Sequence, residues 1–167
     1  MKDKKIIEGE WSENISWEFY LSASLPPCEL CTAVFCVGVY QNQIMLTKTK
    51  RGWELPGGHI ESGETIEQAM KRECKEEGGM EIEKFKLFGY RKIIAKCPIE
   101  IRDKKECYPF PVSYMPYYIG TTNISPEKFT GQEVIDNQLF SLDELDHLRT
   151  TQLTVIRAGF EELQCLE

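Results

Sequence analysis

Gly58-His59-Ile60-Glu61-Ser62-Gly63-Glu64-Thr65-Ile66-Glu67-Gln68-Ala69-Met70-Lys71-Arg72-Glu73-Cys74-Lys75-Glu76-Glu77-Gly78-Gly79-Met80 is the stretch on which the reading of the chain turns. Its centre predicts a helix over about Ile66 to Glu77. Thr65 with Gln68 three residues on makes a capping box, each side chain bonding the other's backbone N–H, and Gly78-Gly79 ends the helix. At about 100° per residue, with Glu73 at zero, Ile66 falls at about +20°, Ala69 at about −40°, Met70 at about +60° and Cys74 at about +100°. These four define a buried stripe. Glu77 at about +40° and Glu76 at about −60° share its side, while Gln68, Lys71 and Lys75 lie opposite. The three acids are therefore expected away from the wet face.

That placement is costly. Neighbouring carboxylates repel, partial burial penalises each charge, and the last turn carries the negative end of the helix dipole. A divalent cation among them relieves all three penalties together. Hard carboxylate oxygens favour Mg²⁺, with Mn²⁺ as the alternate, over zinc. The plainer reading makes Glu76 and Glu77 surface charges at a frayed end and bridges Glu73 to Arg72 or Lys75. It must also account for the loop upstream. There Leu55-Pro56-Gly57-Gly58 turns the chain sharply onto the helix, and the paired glycines let a backbone carbonyl approach an ion. Glu64 and Arg72 are placed to pair across the junction of loop and helix.

Gly58, Glu64 and Arg72-Glu73-Cys74-Lys75-Glu76-Glu77-Gly78-Gly79-Met80 match the Nudix box, G-x5-E-x7-R-E-U-x-E-E-x-G-U, at every fixed position. Cys74 and Met80 stand where aliphatic residues are commoner. The chain thus resembles the Nudix hydrolases, over residues 30 to 165. The resemblance implies an α/β fold, a Nudix-type α/β/α sandwich with a mixed β-sheet. It also implies hydrolysis of a nucleoside diphosphate linked to another moiety, by water attack on phosphorus. Carried over by motif position, Glu73, Glu76 and Glu77 would ligate Mg²⁺ with help from the Gly57 carbonyl, and Glu64 and Arg72 would be the structural pair. The general base differs among family members. Glu73 is the candidate within the box and Glu133, in Thr130-Gly131-Gln132-Glu133, the candidate outside it, or else an ordinary loop acid.

The substrate is less defined. Lys48, Lys50 and Arg51 are placed to meet phosphates or to be solvated hairpin charges, and Arg51 is carried as a substrate-binding candidate. Trp53, with Tyr90, Tyr117 and Phe140, is a candidate for stacking on a base, against the plainer reading of core or sheet surface. The run Arg51-Gly52-Trp53-Glu54-Leu55-Pro56-Gly57-Gly58 resembles members that act on nucleoside triphosphates, oxidised ones included. ADP-ribose and dinucleoside polyphosphates stay open as substrates, as does a non-catalytic nucleotide-sensing module, although such modules usually lose box carboxylates.

Composition bounds these readings. The chain has 167 residues, 41% hydrophobic and 28% charged, enough for one core to bury most of what the unfolded chain exposes. Its net charge of −7 repels a nucleic-acid polymer over most of the surface but leaves room for a small phosphorylated ligand with a local cation. No apolar run reaches membrane-spanning length, and no apolar segment follows the charged start. Seven cysteines, an odd number, read as reduced thiols in the cytoplasm. Cys28 and Cys31, with Cys97 and Cys107 as distant partners, offer four thiolates for a structural zinc, but the second pair lacks the usual close spacing, so unligated thiols are expected.

Residues 1–30 are read as an N-terminal extension packed on a domain of residues 31–167, and as a candidate contact for a homodimer. Within the extension Trp17-Glu18-Phe19-Tyr20-Leu21 alternates like a strand. Further strands are expected at Thr32 to Tyr40, Ile44 to Thr47, Trp53 to Leu55, 80–96, 112–122 and Val134 to Phe140. The segment between the strands at 80–96 and 112–122, with Pro98, Pro109 and Pro111, reads as a loop or an irregular hairpin end. A short helix is expected at Leu142 to Leu148 and an amphipathic one over about Thr151 to Leu163.

Overall fold

The apolar run of Ala33–Tyr40 forms the central strand, β3, in the computed structural model, which describes residues 3–101, 107–128, 134–148 and 150–165. Its side chains alternate between two cores. Val34 and Cys36 join Ile66, Ala69, Met70, Cys74, Met80 and Tyr118 on one face. Val37 and Val39 join Phe19, Phe88, Tyr117, Ile119, Val155 and Ile156 on the other. Helix α1 (Ile66–Gly78) covers the first face and helix α2 (Leu153–Glu161) packs on the second. This is the layered mixed sheet that the sequence predicts.

The remaining strands are β1 (Lys4–Ser12), β2 (Ile15–Leu21), β4 (Gln43–Thr49), β5 (Gly52–Glu54), β6 (Gly57–His59), β7 (Lys84–Ala95), β8 (Val112–Thr121) and β9 (Asp136–Phe140). The sheet runs β1-β2-β7-β8-β3-β4-β5, with β6 paired to β3 and β9 to β4. Only β3 and β8 run parallel among these pairs, Phe35 opposite Tyr117 and Val37 opposite Ile119. β4 meets β3 only at Val39 and Tyr40, beyond a turn in which Gln41 and Asn42 take φ of 47° and 62°. β6 takes up the other end of the same edge, at Ala33 to Phe35. That split leaves the Pro56-Gly57-Gly58 segment beside the C-terminal half of α1.

Several elements differ from the sequence reading. Lys4–Ser12 is a strand of its own. It lacks clean alternation because it is an edge strand, largely exposed, paired only with β2 and broken in register between Lys5 and Ile7 and between Glu10 and Ser12. Gly57–His59 is a strand as well as a turn. Residues 80–83 precede β7: Met80 and Ile82 dip into the α1-side core before the ladder begins at Lys84. The expected helix at Leu142 to Leu148 is a single 3₁₀ turn, Glu144–His147, which buries only Leu145. The last helix is shorter than expected and closes in a 3₁₀ turn, Glu162–Cys165. Among the described residues no helix is long and apolar enough to cross a membrane.

Candidate active site

Helix α1 begins and ends where its local chemistry requires. Thr65 Oγ1 accepts from the Gln68 N–H at 3.2 Å and Gln68 Oε1 accepts from the Thr65 N–H at 2.8 Å, closing the capping box. At the other end Gly79 leaves the helix with φ of 64°. Its N–H bonds the Lys75 carbonyl at 3.1 Å, and the Met80 N–H bonds that of Cys74 at 3.0 Å. A side chain at Gly79 would also strike the Glu127 carbonyl, 2.0 Å from an added Cβ, so the loop after β8 seats directly on the helix end.

Arg72 organises the acids. Its Nε donates to Glu64 Oε1 at 2.7 Å and its Nη2 to Glu64 Oε2 at 2.9 Å, a two-pronged pair. Nη2 also reaches the His59 carbonyl at 3.0 Å, while Nη1 donates to Glu73 at 2.8 Å and to Glu76 at 3.2 Å. One guanidinium thus holds three carboxylates. The sequence reading expects acids in need of a cation, and Arg72 is already among them, yet it leaves their charge in excess.

Burial grades the cluster as the helical phase requires. Glu73 is buried, Glu77 intermediate, and the Glu76 side chain is 58% exposed, so Glu76 belongs to the rim and corrects the expectation that all three acids turn inward. Burial pushes the Glu73 carboxyl above its ordinary value despite the opposing pull of Arg72. The hydrogen bonds from Arg72 hold Glu64 below its own.

β6 explains how Glu77 is held. Cys36 N–H bonds the Pro56 carbonyl and Ile60 N–H the Thr32 carbonyl, both at 3.1 Å, so residues 56, 58 and 60 carry the ladder to β3. Gly57 and His59 turn their backbone groups the other way. The Gly57 N–H donates to Glu77 Oε2 at 3.0 Å, and on an extended strand its carbonyl shares that side. Gly58 lies closest of all: an added Cβ would stand 2.4 Å from Glu73 Oε1. The two glycines are strand residues because a carboxylate on one side and the β3 backbone on the other leave no room for side chains.

The donor set is all hard oxygen, which suits Mg²⁺. As they stand, the carboxylates are engaged with Arg72 and Gly57. Among the described residues no three His, Cys, Asp or Glu side chains are grouped to hold an ion. The Cys31 thiol, pushed up to about 12 mainly by burial, is a poor thiolate donor.

Among the other candidates, Arg51 and Trp53 make their contacts outside this cluster. Glu133 falls outside the described residues. Arg51 is exposed and grips Glu54 through Nε, at 3.1 and 3.2 Å, and Nη2, at 3.0 Å. Trp53 packs edge-on against Phe140 at 4.8 Å, with Lys48 Nζ 5.7 Å from its ring. Tyr117 is fully buried beneath the sheet's second face. A shallow cavity of about 280 Å³, lined in part by Leu25, Phe85, Leu87 and Tyr118, lies beside the first turn of α1, at the opposite end from the acids. Sequence reasoning passed over Asn137. It is 1% exposed, and its Nδ2 donates to the Gly78 carbonyl at 2.9 Å and the Glu127 carbonyl at 2.8 Å, pinning the end of α1 to β9. An Asn inside a strand, where that residue is disfavoured, was the available signal.

A sheet covered on both faces, with a capped helix delivering acids to a pair of glycines, defines a class that comparison with known proteins names. Residues 29–160 match the NUDIX domain, and the chain belongs to that family. It is 38% identical over 53 residues to YtkD of Bacillus subtilis (strain 168), for which 8-oxo-dGTP diphosphatase activity is proposed in its name. That match covers 32% of this chain and 34% of the relative. It is 34% identical over 56 residues to the 8-oxo-dGTP diphosphatase of Buchnera aphidicola subsp. Schizaphis graminum, covering 30% of this chain and 43% of that one. The matches therefore span less than half of either curated relative. Among solved structures, the Bacillus subtilis pyrophosphohydrolase BsRppH superposes with a TM-score of 0.62 at 21% identity, covering 97% of this chain and 100% of that one, a likeness of fold.

Proposed function

We propose that the chain is a Mg²⁺-dependent pyrophosphohydrolase that cleaves a nucleoside diphosphate linked to another moiety, with nucleoside triphosphates, oxidised ones included, as the preferred class. The observation that carries this reading is the Arg72 assembly against Gly57 and Gly58: three carboxylates on one guanidinium, with a buried Glu73 among them. A negative excess of this kind, all oxygen, is what a divalent cation would balance. The names of the two curated relatives favour an oxidised purine nucleoside triphosphate.

In this reading Glu73, Glu76 and Glu77, with the Gly57 carbonyl, would hold Mg²⁺. When bound, the ion would neutralise the diphosphate oxygens and lower the pKa of the attacking water. Arg72 and Glu64 fix the loop before α1 against the helix, so the donors keep their spacing. Glu73, raised by burial, is the box residue best suited to accept the water's proton, because a base works best with a pKa nearer the working pH. Glu133 is the candidate base from the loop before β9. Arg51 and Trp53, on the strand and turn leading into Gly57, are proposed to meet the substrate.

The division at residue 30 is kept as a proposal, supported by a family match that begins at residue 29. So is a cytoplasmic setting, supported by the free thiols of Cys28, Cys31, Cys36, Cys74, Cys97 and Cys107. The partner is a small nucleotide rather than a polymer, in keeping with the net charge of −7. Turnover of a panel of nucleoside triphosphates, 8-oxo-dGTP, ADP-ribose and dinucleoside polyphosphates with Mg²⁺, resolved by chromatography, tests the reading. Release of pyrophosphate from the triphosphates is expected. Absence of any Mg²⁺-dependent cleavage across the panel overturns it.

A further inference from the structure

β6 is Gly57-Gly58-His59, and two of its three residues have no side chain by which the fold could hold it. Glycine also loses more backbone freedom on ordering than any other residue, so such a strand needs an outside grip. β3 takes one edge through its ladder, with Phe35 opposite Gly57 and Ala33 opposite His59. The other edge carries the site: the Gly57 N–H holds Glu77, and the His59 carbonyl accepts from Arg72 Nη2 at 3.0 Å. What remains is the His59 ring. Side chains alternate along a strand. Gly58 faces Glu73, so Gly57 and His59 face the other way, Gly57 against Phe35.

Tyr108 meets that ring. It lies 49 residues further along the chain, in the segment that joins β7 to β8, and its hydroxyl is hydrogen-bonded to His59 Nε2. The two rings stack with centres 5.7 Å apart and planes 16° from parallel. The stack restrains the tilt of the imidazole and the hydrogen bond restrains its rotation. Tyr108 is itself anchored. Its N–H bonds the Ile99 carbonyl at 2.9 Å, and Cys107 bridges to Glu100. Nearer the sheet, the Ala95 N–H bonds the Pro111 carbonyl at 2.9 Å and continues the ladder of β7 and β8.

We propose that Tyr108 is a positioning residue for the acid cluster, gripping the His59 ring and thereby fixing β6 against Glu77 and Arg72. Among the described residues no hydrogen bond joins Tyr108 to the carboxylates, so its effect passes through His59. Arg72 in turn donates to Glu64, Glu73 and Glu76. With the ring released, β6 keeps no side-chain anchor, and Glu77 and Arg72 each lose a fixed backbone partner. The consequence for an ion rests on the metal reading above; the grip on β6 does not.

Two measurements on the whole chain separate the grip from the metal. Amide hydrogen exchange at Gly57 and Ile60 in metal-free protein reads how often β6 opens. Calorimetric titration with Mg²⁺, without nucleotide, reads the donors. Tyr108→Ala is expected to speed exchange at both amides about fivefold or more. It should also weaken Mg²⁺ about tenfold, the lower end for residues that orient metal ligands from behind. Tyr108→Phe, which keeps the stack and loses the hydroxyl, should recover part of both. His59→Ala should cost as much as Tyr108→Ala, and the pair together no more than either. Phe110→Ala, on the same segment and half-exposed, should change neither. Parental exchange or parental Mg²⁺ affinity in a folded Tyr108→Ala protein overturns the inference. Should that variant fail to fold, Tyr108→Phe decides, and parental exchange there overturns it. A parent chain that takes up no Mg²⁺ removes the metal reading, and exchange alone then decides the grip.

Discussion

Gly58→Ala isolates the geometry of the acids from their charge. The added methyl would stand 2.4 Å from Glu73 Oε1, 2.7 Å from its Cδ and 2.9 Å from Oε2. Ordinary contact begins near 3.4 Å, so the Glu73 carboxylate must retreat by about 1 Å. Gly58 is not among the glycines with positive φ, and alanine adds no backbone strain there. What yields is the end of a side chain, so the fold should keep its thermal midpoint to within a few degrees. The catalytic cost is larger, because a misplacement of about 1 Å in a positioning group is worth roughly 100-fold in rate. The assay is steady-state pyrophosphate release from a nucleoside triphosphate at saturating Mg²⁺, beside thermal unfolding of the same protein. A folded Gly58→Ala chain with turnover within about threefold of the parent would refute the placement of Glu73 at the reacting centre.

Glu77→Gln keeps an oxygen for the Gly57 N–H but loses the charge. It should abolish Mg²⁺-dependent hydrolysis while circular dichroism stays unchanged, and near-normal turnover would remove Glu77 from the metal set. Glu64 and Glu73 should respond to pH with opposite signs in metal-free protein. Glu64 sits below the ordinary glutamate value of 4.5, so its contribution is full above that pH and fades as pH falls through its lowered pKa. Glu73 sits above it, so its ionisation costs the fold as pH rises. In urea unfolding, Glu64→Gln should therefore destabilise at pH 7 and much less at pH 3, and Glu73→Gln should stabilise at pH 7 and change little at pH 3. The same sign for both would contradict the assignment. Asn137→Ala orphans the Gly78 and Glu127 carbonyls together and should cost about 2 to 3 kcal/mol in denaturant unfolding, against under about 0.5 kcal/mol if solvent takes over both bonds.

The centre of the fold was readable because strong local signals agreed. The Thr65–Gln68 box, the phase of Ile66, Ala69, Met70 and Cys74, and Gly78-Gly79 each point to the same helix, and tertiary packing only confirms it. The strands β3 and β4 followed from apolar runs, and β7 and β8 from long stretches rich in aromatic and β-branched residues. β1 and β6 did not, for opposite reasons. β1 buries too little to show alternation, while β6 is short and glycine-rich because of what lies against it, which no local pattern records. At the site, helical phase placed Glu73 and Glu77 well and Glu76 at the margin. The Arg72–Glu64 pair was legible, and the plainer reading joins Arg72 to Glu73. That the same guanidinium also reaches Glu76 and the His59 carbonyl was not, since that depends on how the loop thirteen residues upstream folds back. Tyr108 carried no local signal at all: 49 residues separate it from His59, and only the fold brings them together.

The two register breaks of β1 bear on how copies of the chain meet. An outermost strand offers a row of free amides to any second strand, and straight, apolar ones zip into fibres. Here Lys4, Lys5, Glu8 and Glu10 stud that border, and each kink throws the amides out of line. A neighbour laid along it would find both charge and misalignment, so end-to-end growth of the sheet is blocked at this margin. Two copies that pair along this margin must do so through side chains, leaving the hairpin of β1 and β2 as a closed hem rather than an open seam.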